Sequence, residues 1–141
     1  MKCTYCQSKI TDVDVKICSK CGAELTSTRF VVRDEIDITD VLSDFQAKQQ
    51  YHTFDLLRML QIARKERSDA YYLMTVVLRA NENEIDVEVD NELLANARGQ
   101  YDLFTIHKNV IEQILIDRIG YFPKRIDDNF LERYYAKLKL V

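Results

Sequence analysis

From residue 39 onward the apolar residues of this chain recur every three or four positions, the period of a helix with one face against a core. Val41, Leu42 and Phe45 open the pattern behind Thr39 or Asp40, either of which suits an N-cap. A stronger stripe of Phe54, Leu57, Leu60, Ile62 and Ala63 follows a cap at Thr53, and the helix dipole favours Asp55 in the first turn. Ser68-Asp69 predicts a restart, with a second helix through Arg79 carrying Ala70, Tyr71, Leu73, Met74, Val76, Val77 and Leu78. That stretch is apolar nearly all round, so it is either buried on every side or meets a partner. Residues 92–119 hold the longest stripe, including Leu93, Leu94, Ala97, Tyr101, Phe104, Ile111, Ile114 and Leu115. Gly99 is its interior weak point and Gly120 its stop. Past Tyr121-Phe122-Pro123, Asp127 or Asp128 caps a last helix with Phe130, Leu131, Tyr134, Tyr135 and Leu138.

The period changes once. Ile85, Val87 and Val89 alternate with Glu84, Asp86, Glu88 and Asp90, which predicts a short strand within residues 81–92. The β-branched and aromatic stretch 29–38 is its expected partner, giving a two-stranded element beside the helices.

Composition sharpens this picture in three ways. Three glycines and one proline in 141 residues favour long helices over tight hairpins. Apolar residues at 47% suffice for a packed core. No apolar run approaches the roughly 20 residues of a membrane span, and the start Met1-Lys2-Cys3 has no secretory pattern, so a cytoplasmic protein without membrane contact is expected. Charge is uneven: residues 1–30 hold five basic and three acidic side chains, residues 31–141 fifteen and twenty. The helical part is therefore poorly suited to uniform binding of a phosphate backbone.

All four cysteines lie in the first 21 residues, as Cys3-Thr4-Tyr5-Cys6 and Cys18-Ser19-Lys20-Cys21. Two Cys-x-x-Cys turns facing each other place four thiolates around one ion, the geometry of a closed zinc site. Residues 1–26 offer few core candidates besides Ile10, Val13, Val15, Ile17 and Leu25, so the metal takes the place of a core. The same ligands also suit an iron centre. Two disulfides would need an oxidising compartment. A redox pair would need only one Cys-x-x-Cys, and no βαβ unit is visible around either. Residues 2–25, KCTYCQSKI through KICSKCGAEL, resemble the short N-terminal zinc ribbons of many bacterial, archaeal and phage proteins. The match is closest over Cys18–Leu25; in the first turn Gln7 stands where glycine is common. The resemblance implies one structural Zn²⁺ held by Cys3, Cys6, Cys18 and Cys21, but no particular function, because such ribbons serve nucleic-acid binding, protein docking and folding alike.

Other chemistry is sparse. There is no Gly-rich phosphate loop, no His-Glu-x-x-His and no Gly-x-Ser-x-Gly. His52 and His107 read as structural histidines. Asp86, Glu88 and Asp90 would share one strand face, suited to a hard cation, to a charge-guarded edge, or to docking a basic partner. Arg58, Arg64, Lys65 and Arg67 form one basic cluster; Lys124 and Arg125 begin a second that includes Arg133, Lys137 and Lys139 beside Tyr134 and Tyr135. Both are candidate contacts for nucleic acid or a partner, and both fit the plainer reading of a solvated helix face.

The expectation is a mostly α protein: a zinc ribbon over 1–26, an extended joint over 27–38, and a helical domain over 39–141 with the short two-stranded element. The expected role is a non-enzymatic interaction or assembly adaptor docking protein partners, a second copy of the chain among the candidates. A nucleic-acid-binding accessory factor is the alternative.

Overall fold

The computed structural model of this chain describes residues 2–3, 5–11, 14–25, 30–83 and 88–139. It divides into two compact units, Met1–Phe30 and Val31–Val141.

The second unit is built on two long helices. α1 (Ile38–Val41) and α2 (Phe45–Lys48) are single turns; α3 (Thr53–Asn83), α4 (Glu88–Ile119) and α5 (Asp128–Lys139) follow. At 31 and 32 residues, α3 and α4 are each roughly 47 Å long. They run antiparallel: the Arg67 guanidinium donates to Tyr101 Oη at 2.6 Å and Thr105 Oγ1 at 2.8 Å, while Arg64 lies 4.0 Å from Glu112.

The restart expected at Ser68-Asp69 does not occur; α3 runs through both residues. Neither glycine nor proline interrupts residues 53–83. Ser and Asp inside a helix each cost about 0.5 kcal/mol relative to Ala, less than a second nucleation with two new uncapped ends. The expected strand is also corrected. Glu88, Val89 and Asp90 belong to α4, and residues 84–87 lie outside the described residues. Residues 30–37 are irregular, and no strand occurs among the described residues beyond two isolated bridges in the first unit. Alternation alone could not prevail where a growing helix gains one backbone bond per residue without a partner strand.

The core lies at one end of the α3–α4 pair. Leu56, Leu57, Met59, Leu60 and Ala63 of α3 meet Phe104, Ile111, Ile114 and Leu115 of α4. Val41 of α1, Tyr51, Ile126 and Leu131 of α5 close it, with Val32 and Ile36 packed alongside. Phe54 sits against Tyr134 and Tyr135 at 5.9 and 5.4 Å between ring centres. Past Ser68, among the described residues, the core cluster adds no member from α3, and in α4 it begins at Phe104. Ala70, Val77 and Ala97 are buried between them, while large apolar side chains of the same stretch face outward.

Local signals place the ends. His52, not Thr53, caps α3: its Nδ1 accepts from the Phe54 N–H at 3.0 Å. α1 starts from a capping box between Asp37 and Asp40, and Asp44 caps α2. The expected single helix behind Thr39 or Asp40 is thus two capped turns, with Leu42 and Phe45 exposed. Gly120, at φ 84°, ends α4 and donates its N–H to Ile116 O at 2.9 Å, and Asp127 accepts the Phe130 N–H at the start of α5. Gly99 is helical within α4.

Three polar side chains, two of them buried, tie the irregular segments down. Asp55 has no exposed surface; it accepts the Arg33 N–H at 2.9 Å and pairs with Arg58, which also donates to Arg33 O at 2.6 Å. Arg118 donates to Tyr51 O and Gln49 O at 2.5 and 2.7 Å, fixing the link from α2 to α3. Lys48 is buried; its Nζ donates to Ser43 O and to His107 Nδ1 on α4, the latter at 2.8 Å. No described helix is long and apolar enough to cross a membrane.

Two outcomes follow. Leu115→Ala opens a cavity in the surrounded half, and urea unfolding should show a loss of about 2–5 kcal/mol, against about 1 kcal/mol or less for Leu78→Ala on the outward face. Burial lowers the Lys48 amine from its ordinary 10.5 to about 8. The unfolded chain therefore binds more protons between those values, and stability should rise with pH across that window. Lys48→Met should remove that part of the rise in unfolding curves taken above pH 8.

Candidate functional site

The first unit is two copies of one backbone device. The Cys3 N–H donates to Ser8 O at 2.9 Å and the Gln7 N–H to Cys3 O at 3.0 Å; in the second half Cys18 donates to Ala23 O and Gly22 to Cys18 O, both at 2.9 Å. Each turn is flanked by an isolated antiparallel bridge, Lys2 with Lys9 and Ile17 with Glu24. Gln7 and Gly22 occupy equivalent places and both take positive φ, 64° and 77°. Glycine does this without strain, whereas a residue with a Cβ does not. Gln7 thus adopts the backbone that the resemblance expects of glycine.

The two turns bring their sulfurs together. Cys3 Sγ lies 3.8 Å from Cys21 Sγ, Cys6 Sγ 3.7 Å from Cys18 Sγ, and all four fall within 4.8 Å of one another. A tetrahedral ion with bonds of about 2.3 Å to sulfur requires edges of about 3.8 Å. These separations are far beyond the roughly 2.0 Å of a disulfide, and all four thiols are free. The Tyr5 N–H donates to Cys3 Sγ at 3.4 Å. Cys3 and Cys18 are the buried apolar side chains of this unit among the described residues; Ile17 is exposed. The four cysteines can therefore hold a metal ion, at the one point where the unit has an interior.

Electrostatics agree with a cation at the centre. Hydrogen bonds from the Ser8 hydroxyl and N–H hold Cys6 down at about 6, and N–H groups of Cys21 and Lys20 lower Cys18 from its ordinary value. The Ala23 N–H also lowers Cys21, yet desolvation and the sulfurs of Cys6, Cys18 and Cys3 outweigh it and push Cys21 up to about 11. Crowded thiolates repel, and a divalent ion reverses that repulsion. Lys2, Lys9, Lys16 and Lys20 of the same unit are exposed.

The basic candidates divide. Arg58 is taken up by Asp55 and the carbonyls of Arg33 and Asp34, with its guanidinium over the Phe54 ring, so it holds the fold together. Arg125 pairs with Asp127 at 3.7 Å on the surface. Arg64, Arg67 and Lys124 converge from both clusters on one open pocket of about 390 Å³, joined by Lys108 and Glu112 of α4. Lys65 lines a neighbouring depression with Asp127 and Asp128. Lys108 and Glu112, four apart on α4, were legible as a helix pair but not as neighbours of Arg64, because that proximity comes from helix packing. Of the acidic trio, Glu88 and Asp90 lie on a helix and Asp86 lies outside the described residues, so the shared strand face is lost.

The outer half of the α3–α4 pair carries the other notable surface. Tyr71 and Tyr72 are 59% and 71% exposed, and Leu73, Val76, Leu78 and Leu93 are exposed as well. Ala70, Leu73, Ala97 and Phe104 floor a groove of about 220 Å³ rimmed by Glu66 and Asp69. No family model, curated protein or solved structure matches the chain.

The equivalence of the two turns has a measurable consequence. Gln7→Gly should stabilise the first turn by about 1 kcal/mol, and Gly22→Ala should weaken the second by about 1–2 kcal/mol. No atom lies within 4 Å of a Cβ built at Gly22, so the cost there is conformational alone. Competition with a chelator reads both: metal should be held several-fold more tightly by Gln7→Gly and about tenfold less tightly by Gly22→Ala.

Proposed function

We propose that this chain is a non-enzymatic interaction protein in which Cys3, Cys6, Cys18 and Cys21 hold one structural zinc ion and the α3–α4 arm receives a basic, amphipathic segment of a protein partner. The observation that carries the reading is the arm's surface. Large apolar side chains of α3 and α4, Tyr71, Tyr72, Leu73, Val76, Leu78 and Leu93, stand exposed, and among the described residues the buried core does not extend over them. Exposed apolar groups in such number favour association over solvation. Charge selects the partner: residues 66–103 contain nine acidic and three basic side chains. A basic helix whose apolar face enters the groove between Leu73 and Phe104 and whose cations meet Glu66 and Asp69 answers both features. A second copy of this chain would bring like charge against like, and a phosphate backbone would be repelled.

Zinc is the reading of the four sulfurs for the reasons of geometry given above, and it supplies the folding energy a unit of thirty residues lacks. In the cytoplasm, where thiols stay reduced, the site would keep its ligands.

The test uses the full chain as bait in a native lysate, with and without nuclease, beside Leu73→Asn/Val76→Asn and Cys18→Ser/Cys21→Ser. Metal analysis should find one zinc per chain, and none in the cysteine variant, with the helical far-ultraviolet signal retained. A basic protein should be retained by the natural chain and lost, tenfold or more, from the arm variant; this corresponds to losing about 1.4 kcal/mol or more. Equal capture by the arm variant, or recovery of nucleic acid alone before nuclease and nothing after it, would overturn the proposal.

A further inference from the structure

At the root of the arm, on helices whose outer half is acidic, lies a pocket of the opposite sign. Arg64, Arg67 and Ser68 of α3, Lys108 of α4, and Lys124 of the loop before α5 line it, with Phe122 as its apolar wall. Glu112 is the one carboxylate in the lining.

That carboxylate does not neutralise the group. Glu112 is buried and accepts from Lys108 Nζ at 2.6 Å. Arg64 Nη2 stands 4.0 Å away, beyond a hydrogen bond. Arg64 Nη1 is buried and meets no acceptor among the described residues. Its guanidinium is steadied by the Phe122 ring, 5.9 Å from the ring centre. Arg67 is clamped by Thr105 and Tyr101 and stacks over the Tyr101 ring at 4.7 Å, so its charge is fixed in direction. Lys124 is exposed at the rim. Four cations against one carboxylate leave an excess of three positive charges around a volume of about 390 Å³. Like charges held this close repel, and a half-buried guanidinium with an orphan donor is costly.

We propose that this pocket binds the phosphate of a phosphorylated small molecule. A monocarboxylate carries one charge, too few for the excess; a phosphomonoester or pyrophosphate carries about two or more on one compact group and offers several acceptors to the guanidinium, ammonium and Ser68 hydroxyl donors. The space is within the range of small-ligand sites. An extended nucleic acid is disfavoured, because the unit around the pocket is acidic overall, fifteen basic against twenty acidic residues from 31 to 141.

Titration calorimetry of the full chain decides the matter, with inorganic pyrophosphate, adenosine monophosphate, adenosine and a short single-stranded DNA as probes. Pyrophosphate and the monophosphate should bind with one site per chain, and adenosine should not. Lys124→Gln, at an exposed position, should weaken both by about tenfold, and Arg64→Gln by at least as much, each the loss of one charge-assisted contact. Unfolding curves of Lys124→Gln should match those of the natural chain. No saturable heat with pyrophosphate at millimolar concentration would overturn the proposal, as would equal affinity in Lys124→Gln. Binding of the DNA strand tenfold or more tighter than either small phosphate would overturn it in favour of a nucleic-acid site.

Discussion

Two helices packed side by side can cover each other along one stripe only, and the rest of each cylinder needs something else against it. Over the first half of α3 and the second half of α4 that need is met by α1, α5 and the segment from Val32 to Ile36, and Leu56, Leu57, Leu60, Ile111 and Leu115 are fully buried. Over the outer half no described element of that core meets it. The same apolar richness that makes a core at the root becomes an exposed surface on the arm. Tyr71, Tyr72 and Val76 are exposed although their side chains resemble those buried a few turns earlier.

The polar groups of the root serve the same constraint. Irregular backbone brought against a core must have its N–H and C=O groups satisfied. Asp55 accepts the Arg33 N–H, Arg58 and Arg118 donate to carbonyls of the connecting segments, and Lys48 reaches Ser43 O. These charged side chains act here as backbone partners. That is why Arg58, which by sequence belongs with the other basic residues of α3, is not part of the cationic pocket, whereas Arg64 and Arg67, two turns on, face it.

Charge is sorted along the helix pair. The arm is acidic and apolar, and its root holds an excess of cations beside Phe122.

How much of this was legible in the chain depends on distance along it. The four-cysteine cluster was, because all four thiols lie within nineteen residues and the turn geometry is local: each Cys-x-x-Cys pair sets its own two sulfurs. The helical class and the stop at Gly120 were legible for the same reason, since scarce Gly and Pro and a period near 3.6 act over a few residues. The short strand within 81–92 was misread where it can be checked, because alternation needs a partner strand to matter and residues 30–37 are irregular. The restart at Ser68 was misread because capping residues signal an end only when the helix has reason to stop. Which of two apolar stretches would be buried, which arginine would satisfy a carbonyl, and which would meet Lys108 across the helix pair are questions of long-range packing. The sequence by itself determined the four-cysteine cluster and the helical class; only the tertiary structure decided which faces those helices leave to water, because burial is a property of neighbours brought together from distant parts of the chain.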